Sequence, residues 1–82
     1  MESGRVVLEP GREGERHSTK SYEEILVILQ GAGELRVTGQ GPLAIRAPGA
    51  VYVPPTTEHH VANTGAEPLI YVYVAAPTMQ IR

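Results

Sequence analysis

The chain contains no cysteine. That excludes disulfides, thiolate metal sites and a thiol nucleophile. It also contains no aspartate, so a serine nucleophile would lack the third group that orients its base. Tryptophan and phenylalanine are missing too, and four tyrosines supply every aromatic ring apart from the histidines. Basic charge is thin. Lys20 is the only lysine, the arginines are scattered and the formal net charge is −2. A protein that grips nucleic acid through its phosphates needs a basic stripe, and none is present. No apolar run approaches the roughly 20 residues that cross a bilayer as a helix. The first residues, Met1 to Arg16, are too polar and too acidic for a signal peptide. The expected partners therefore include neither nucleic acid nor membrane, and the expected compartment is the cytoplasm.

What is present is a short, punctuated chain. Its 82 residues allow one domain, expected over 1–82. A domain of this size buries only about 60–65% of the surface its unfolded chain exposes. Without disulfides, the reinforcements left are a metal, a second subunit, or both. Nine glycines and seven prolines are spread along the whole length and mark turns between short elements. The segments between them read as strands: Arg5–Glu9, Glu23–Gln30, Leu35–Thr38, Leu43–Arg46, Ala50–Val53, His59–Asn63 and Leu69–Ala75. Residues 12–21 read as a polar loop, and Gly31–Gly33 as a hairpin turn. No segment carries a helical period. The pattern predicts an all-β sandwich or barrel with antiparallel sheets.

Two of these strands are apolar on both faces. On the first, Leu26 and Ile28 oppose Ile25, Val27 and Leu29; on the last, Leu69, Tyr71 and Tyr73 oppose Ile70, Val72 and Val74. One face fills the interior. The other predicts a homodimer, because a soluble monomer rarely leaves such a patch in water. Core or interface packing is the expected role of Tyr71 and Tyr73, with a phenol at the barrel mouth as the alternative.

His17, Glu24 and His59 are the residues that can carry chemistry. On alternating strands Glu24 shares a face with Leu26 and Ile28, and His59 shares one with Val61 and Asn63. A carboxylate on a core face needs a partner. Two imidazoles and a carboxylate converging there would make a divalent-metal site with open positions. The other reading places Glu24 at a strand mouth in water and the histidines in solvated turns. His60 points away from His59 on a strand and is expected at the surface or in an interface.

The spacing of these residues resembles that of the cupins, a family of small β-barrels with two short motifs. Residues 11–31 resemble the first motif: Gly11, five residues, His17, one residue, Thr19, four residues, Glu24, six residues, Gly31. Residues 48–63 resemble the second, with Pro54, Pro55 and Thr56, two residues, His59, three residues and Asn63. The resemblance implies a double-stranded β-helix of jelly-roll type. It implies one divalent ion (Fe, Mn, Zn, Ni or Cu) held by His17, Glu24 and His59, with a small oxygen-bearing ligand exchanging into the remaining positions.

Thr19 stands where metal-binding cupins carry another histidine. A neutral hydroxyl is a poor ligand beside imidazole, so a histidine at 19 is expected to fill a vacant position and tighten binding. Thr19, Tyr71 and Tyr73 are the expected pocket residues. Thr56 replaces the glycine of Pro-x-Gly, and Pro48 occupies the motif's starting glycine; Gly49 follows Pro48 and is expected to make the turn with a shifted left-handed position. If the chain is an enzyme, the resemblance implies metal-dependent dioxygenase- or isomerase-like chemistry. A metal-free ligand-binding or sensor module and a vestigial structural cupin are the alternative readings.

Overall fold

A computed structural model describes residues 1–78. Among them there is no helix, and the chain forms eight strands. These are β1 (Glu2–Leu8), β2 (His17–Ser18), β3 (Tyr22–Gln30), β4 (Ala32–Val37), β5 (Leu43–Arg46), β6 (Gly49–Val53), β7 (Glu58–Ala62) and β8 (Leu69–Pro77). They build two four-stranded antiparallel sheets, ordered β1-β8-β3-β6 and β2-β7-β4-β5. The two sheets make the double-stranded β-helix, with the core between them.

Alternation decides which side chains enter the core. On β3, Glu24, Leu26 and Ile28 are buried while Ile25, Val27 and Leu29 are exposed. On β7, His59 and Val61 face inward beside Leu35 of β4. Leu69 and Tyr71 of β8, Val53 of β6 and Ile45 of β5 complete the cluster. Each fully buried aliphatic side chain contributes about 1.5–3 kcal/mol relative to water.

Two expectations about turns are corrected. Gly31–Gly33 is not a hairpin. β3 pairs with β6 and β8, whereas β4 pairs with β5 and β7. Gly31 alone, at φ 87°, turns the chain from one sheet into the other. A Cβ there would stand 2.5 Å from the Pro68 carbonyl oxygen. Sequence alternation cannot distinguish a hairpin from a corner, because both need a left-handed residue between two strands.

Gly49 does not supply the left-handed conformation either. Thr56 itself adopts φ 51°, and Lys20 adopts φ 54°. The two strained residues face one another, and the Thr56 amide donates to the Lys20 carbonyl at 2.8 Å. The Thr56 hydroxyl donates to the Pro55 carbonyl at 2.7 Å. Left-handed backbone costs an L-residue about 1–2 kcal/mol.

The polar loop also departs from expectation. It contributes β2, in which His17 lies opposite His59. Just before it, Gly14 donates its amide to the Val61 carbonyl at 2.7 Å, and Glu13 bridges to Ala62. The loop thereby covers His60, which is buried and not at the surface. Its Nε2 lies 2.9 Å from a Glu13 carboxylate oxygen.

Candidate metal centre

Three strands from two sheets deliver the site. β3 brings Glu24, β2 brings His17 and β7 brings His59. Each offers a ligand atom, and the three atoms lie within 4.8 Å of one another. Glu24 and His59 are buried, and His17 is exposed at the mouth. The His17 and His59 rings meet at 4.6 Å between centroids and 59° between planes.

The backbone orients both imidazoles in the same way. His59 Nδ1 lies 2.9 Å from the Thr57 carbonyl, and His17 Nδ1 lies 3.1 Å from the Glu15 carbonyl. In each case the partner is two residues upstream. A carbonyl acceptor holds a proton on Nδ1 and turns Nε2 toward the cavity, the arrangement that metal-binding histidines adopt. His59 Nε2 lies 2.9 Å from Glu24 Oε1. Two ligands bound at right angles at about 2.1 Å lie about 3 Å apart, so this pair is already spaced to share an ion. The donor set, two neutral imidazoles and a carboxylate, fits a divalent transition metal.

Without an ion, the same pair lies within hydrogen-bond distance. Burial disfavours the His59 cation, but hydrogen bonds to the Glu24 carboxylate and the Thr57 carbonyl outweigh it, and its pKa is raised. Tyr71 is also raised, by burial first, then by the charge of Glu24 and by Tyr73. It therefore remains a neutral phenol.

Thr19 lines the cavity, but its hydroxyl is committed to the backbone. It donates to the Pro54 carbonyl at 2.7 Å and accepts from the Thr57 amide at 3.0 Å. A histidine at 19 would therefore have to break two hydrogen bonds before it met a metal. Spacing does not reveal these bonds, because it does not show which backbone atoms face a side chain.

Tyr71 and Tyr73 also line the cavity, which has a volume of about 660 Å³. Its apolar walls are Val6, Leu26 and Val61, and Ser18, Lys20 and Ser21 stand at the mouth. Asn63 closes the second motif away from the site as a structural knot. Its amide donates to the Leu8 carbonyl at 2.8 Å and the Glu67 carbonyl at 2.9 Å, and its oxygen accepts from Gly65.

Comparison with known proteins agrees with this architecture. The cupin-domain family profile matches residues 4–75. The chain belongs to the cupin family. A glucose-6-phosphate isomerase from Pyrococcus abyssi is 34% identical over 81 residues, covering 84% of this chain and 43% of that protein. The chain therefore spans less than half the length of that relative. A Thermotoga maritima protein described as a predicted oxalate decarboxylase superposes with a TM-score of 0.85 at 26% identity. The match covers 93% of this cupin and 65% of the Thermotoga chain. An RmlC-like cupin from Methanocaldococcus jannaschii gives 0.84 at 25% identity, covering 92% and 68% of the two chains.

Proposed function

We propose that this cupin binds one divalent metal ion through His17, Glu24 and His59 and presents it to a small oxygen-bearing ligand in the barrel. The observation that carries this reading is the convergence of the three ligand atoms within 4.8 Å, with both imidazoles oriented by backbone carbonyls. The ion would supply a Lewis acid able to polarise a ligand oxygen. Three protein ligands leave coordination positions open for that oxygen. The chain's own residues do the rest: Glu24 and His59 set two positions from opposite sheets, and His17 closes the site from the mouth. Tyr71 offers a neutral phenol to the cavity. The relatives named above as an isomerase and a predicted decarboxylase are described by substrates rich in oxygen, which agrees with this ligand class.

Zinc or cobalt titration, with elemental analysis of protein purified without a histidine tag, tests the reading. One equivalent is expected in the wild type. His17→Ala, Glu24→Gln and His59→Ala should each lose stoichiometric binding, whereas Tyr52→Phe, on the outer face, should keep it. A wild type that takes up no ion would overturn the proposal.

We further propose that the protein is a homodimer. Ile25, Val27, Leu29, Val7 and Tyr52 form an exposed apolar outer face on the β1-β8-β3-β6 sheet. Val27 stands near its centre, between Ala50 of β6 and Val72 of β8.

A further inference from the structure

Gly4 sits inside β1, directly opposite Tyr73 of β8. Its backbone is not left-handed, so the turn chemistry that usually calls for glycine does not apply. Glycine weakens a strand interior and often marks a place where another group approaches closely. Here that group is the tip of Tyr73. A Cβ on Gly4 would fall 2.7 Å from Tyr73 Cε1, 2.7 Å from its hydroxyl oxygen and 2.8 Å from Cζ. The missing side chain leaves a notch, and the phenol ring is parked in it.

The notch lies one tier below the metal centre. Along β3 and β8, Glu24 pairs with Ala75 and the next inward pair is Leu26 with Tyr73. The Tyr73 ring therefore lines the cavity one tier in from the position of the ion. The cavity lining includes Val6, Leu26, Val61 and Tyr71, together with polar groups such as His60, Ser18 and Lys20. The volume of about 660 Å³ lies within the ordinary range of small-molecule sites.

We infer that Gly4 and Tyr73 form a size-selecting wall, which sets how large a body a metal-bound oxygen ligand can carry. This inference rests on the metal reading above. With a Cβ at position 4, the tip of Tyr73 leaves β1. Leu26 flanks its other side, and the open volume it can enter is the cavity. Room for the body is lost, while the three metal ligands are untouched.

The test uses Co²⁺-loaded protein and two probes with the same chelating head. Acetohydroxamate carries a methyl group and benzohydroxamate a phenyl ring. Binding is read from the visible spectrum of the cobalt ion. The wild type is expected to bind both. Gly4→Ala should weaken benzohydroxamate at least tenfold, with Co²⁺ and acetohydroxamate affinities within twofold of wild type. The double variant Gly4→Ala, Tyr73→Leu should restore benzohydroxamate. If Gly4→Ala does not fold, Tyr73→Leu alone should bind 2-naphthohydroxamate at least tenfold more tightly than the wild type does. Equal losses for both probes, no loss for either, or no gain of the larger probe would overturn the inference. Failure of the wild type to take up Co²⁺ would show before any hydroxamate is added, and would overturn the metal reading itself.

Discussion

Replacing Thr19 by valine keeps the volume and β-branching but removes the hydroxyl. The hydroxyl makes two bonds to the 54–57 turn, at 2.7 Å and 3.0 Å. Each such bond contributes about 0.5–1.5 kcal/mol net, and a buried polar group left unpaired costs more. Thr19 is buried, Thr57 is half-buried and Pro54 is exposed, so water can rescue only part of the loss. The expected cost is about 2 kcal/mol. For a domain of this size that corresponds to a fall in Tm of roughly 8–16 °C. Two backbone bonds across the same strap survive, from Thr19 to the Thr57 carbonyl and from Thr56 to the Lys20 carbonyl. The fold should therefore persist in a loosened form. Because the strap lies two residues from both His17 and His59, metal affinity should fall as well. Thermal unfolding by circular dichroism in chelator gives the stability, and Zn²⁺ competition gives the affinity. Thr19→Ser, which keeps the oxygen, should lose less than half as much. If valine and serine at 19 unfold at the same temperature, the hydroxyl contributes nothing and the reasoning fails.

Thr56→Gly should stabilise the protein by roughly 0.5–1 kcal/mol, since glycine adopts φ 51° without the steric cost but gives back some chain entropy; urea unfolding that shows a loss would mean the hydroxyl bond to Pro55 matters more. The raised pKa of His59 makes the metal-free fold pH-sensitive. Its contribution is fully present below the unfolded value of about 6.5 and is lost as pH rises through the higher folded value. In chelator, wild-type stability relative to Glu24→Gln should thus decline above about pH 6.5, whereas metal affinity should rise because Nε2 must shed its proton. A relative stability that climbs over that window would contradict the assignment. Val27→Glu should dissociate the dimer in sedimentation at micromolar concentration, and a wild-type monomer would remove the dimer proposal.

Much of this architecture is legible in the sequence because alternation and punctuation report on it directly. Leu26 and Ile28 against Ile25 and Val27 is a two-residue period, and it puts Glu24 on the same face as Leu26 and Ile28, although alternation alone leaves open whether that end of the strand is buried or lies at a mouth in water. The convergence of His17, Glu24 and His59 needed the motif spacing, because local pattern does not say that β2 lies against β7. Three features were not legible for physical reasons. Thr56 adopts a conformation usually taken by glycine and is tied there by its own hydroxyl, so residue type misleads about backbone. His60 looks exposed because alternation names a face but not the loop that covers it. Gly4 falls outside the strand predicted over Arg5–Glu9, and nothing in the sequence says that the tip of Tyr73 lies above it.

The position of the candidate metal centre also bears on how long the fold survives. Glu24 belongs to one sheet, and His17 and His59 belong to the other. An ion held by all three would staple the two halves of the barrel, joining Glu24 to His59 across a sequence separation of 35 residues and to His17 across 7. In a chain without cysteine, that staple takes the place of a disulfide, and it is reversible. A ligand present at about a hundred times its Kd adds about 2.7 kcal/mol to a folded state that alone binds it. For so small a domain, that is a large fraction of the stability available. The lifetime of the folded protein would then track the free metal concentration around it, and chelation would act first on unfolding and only second on whatever chemistry the cavity supports.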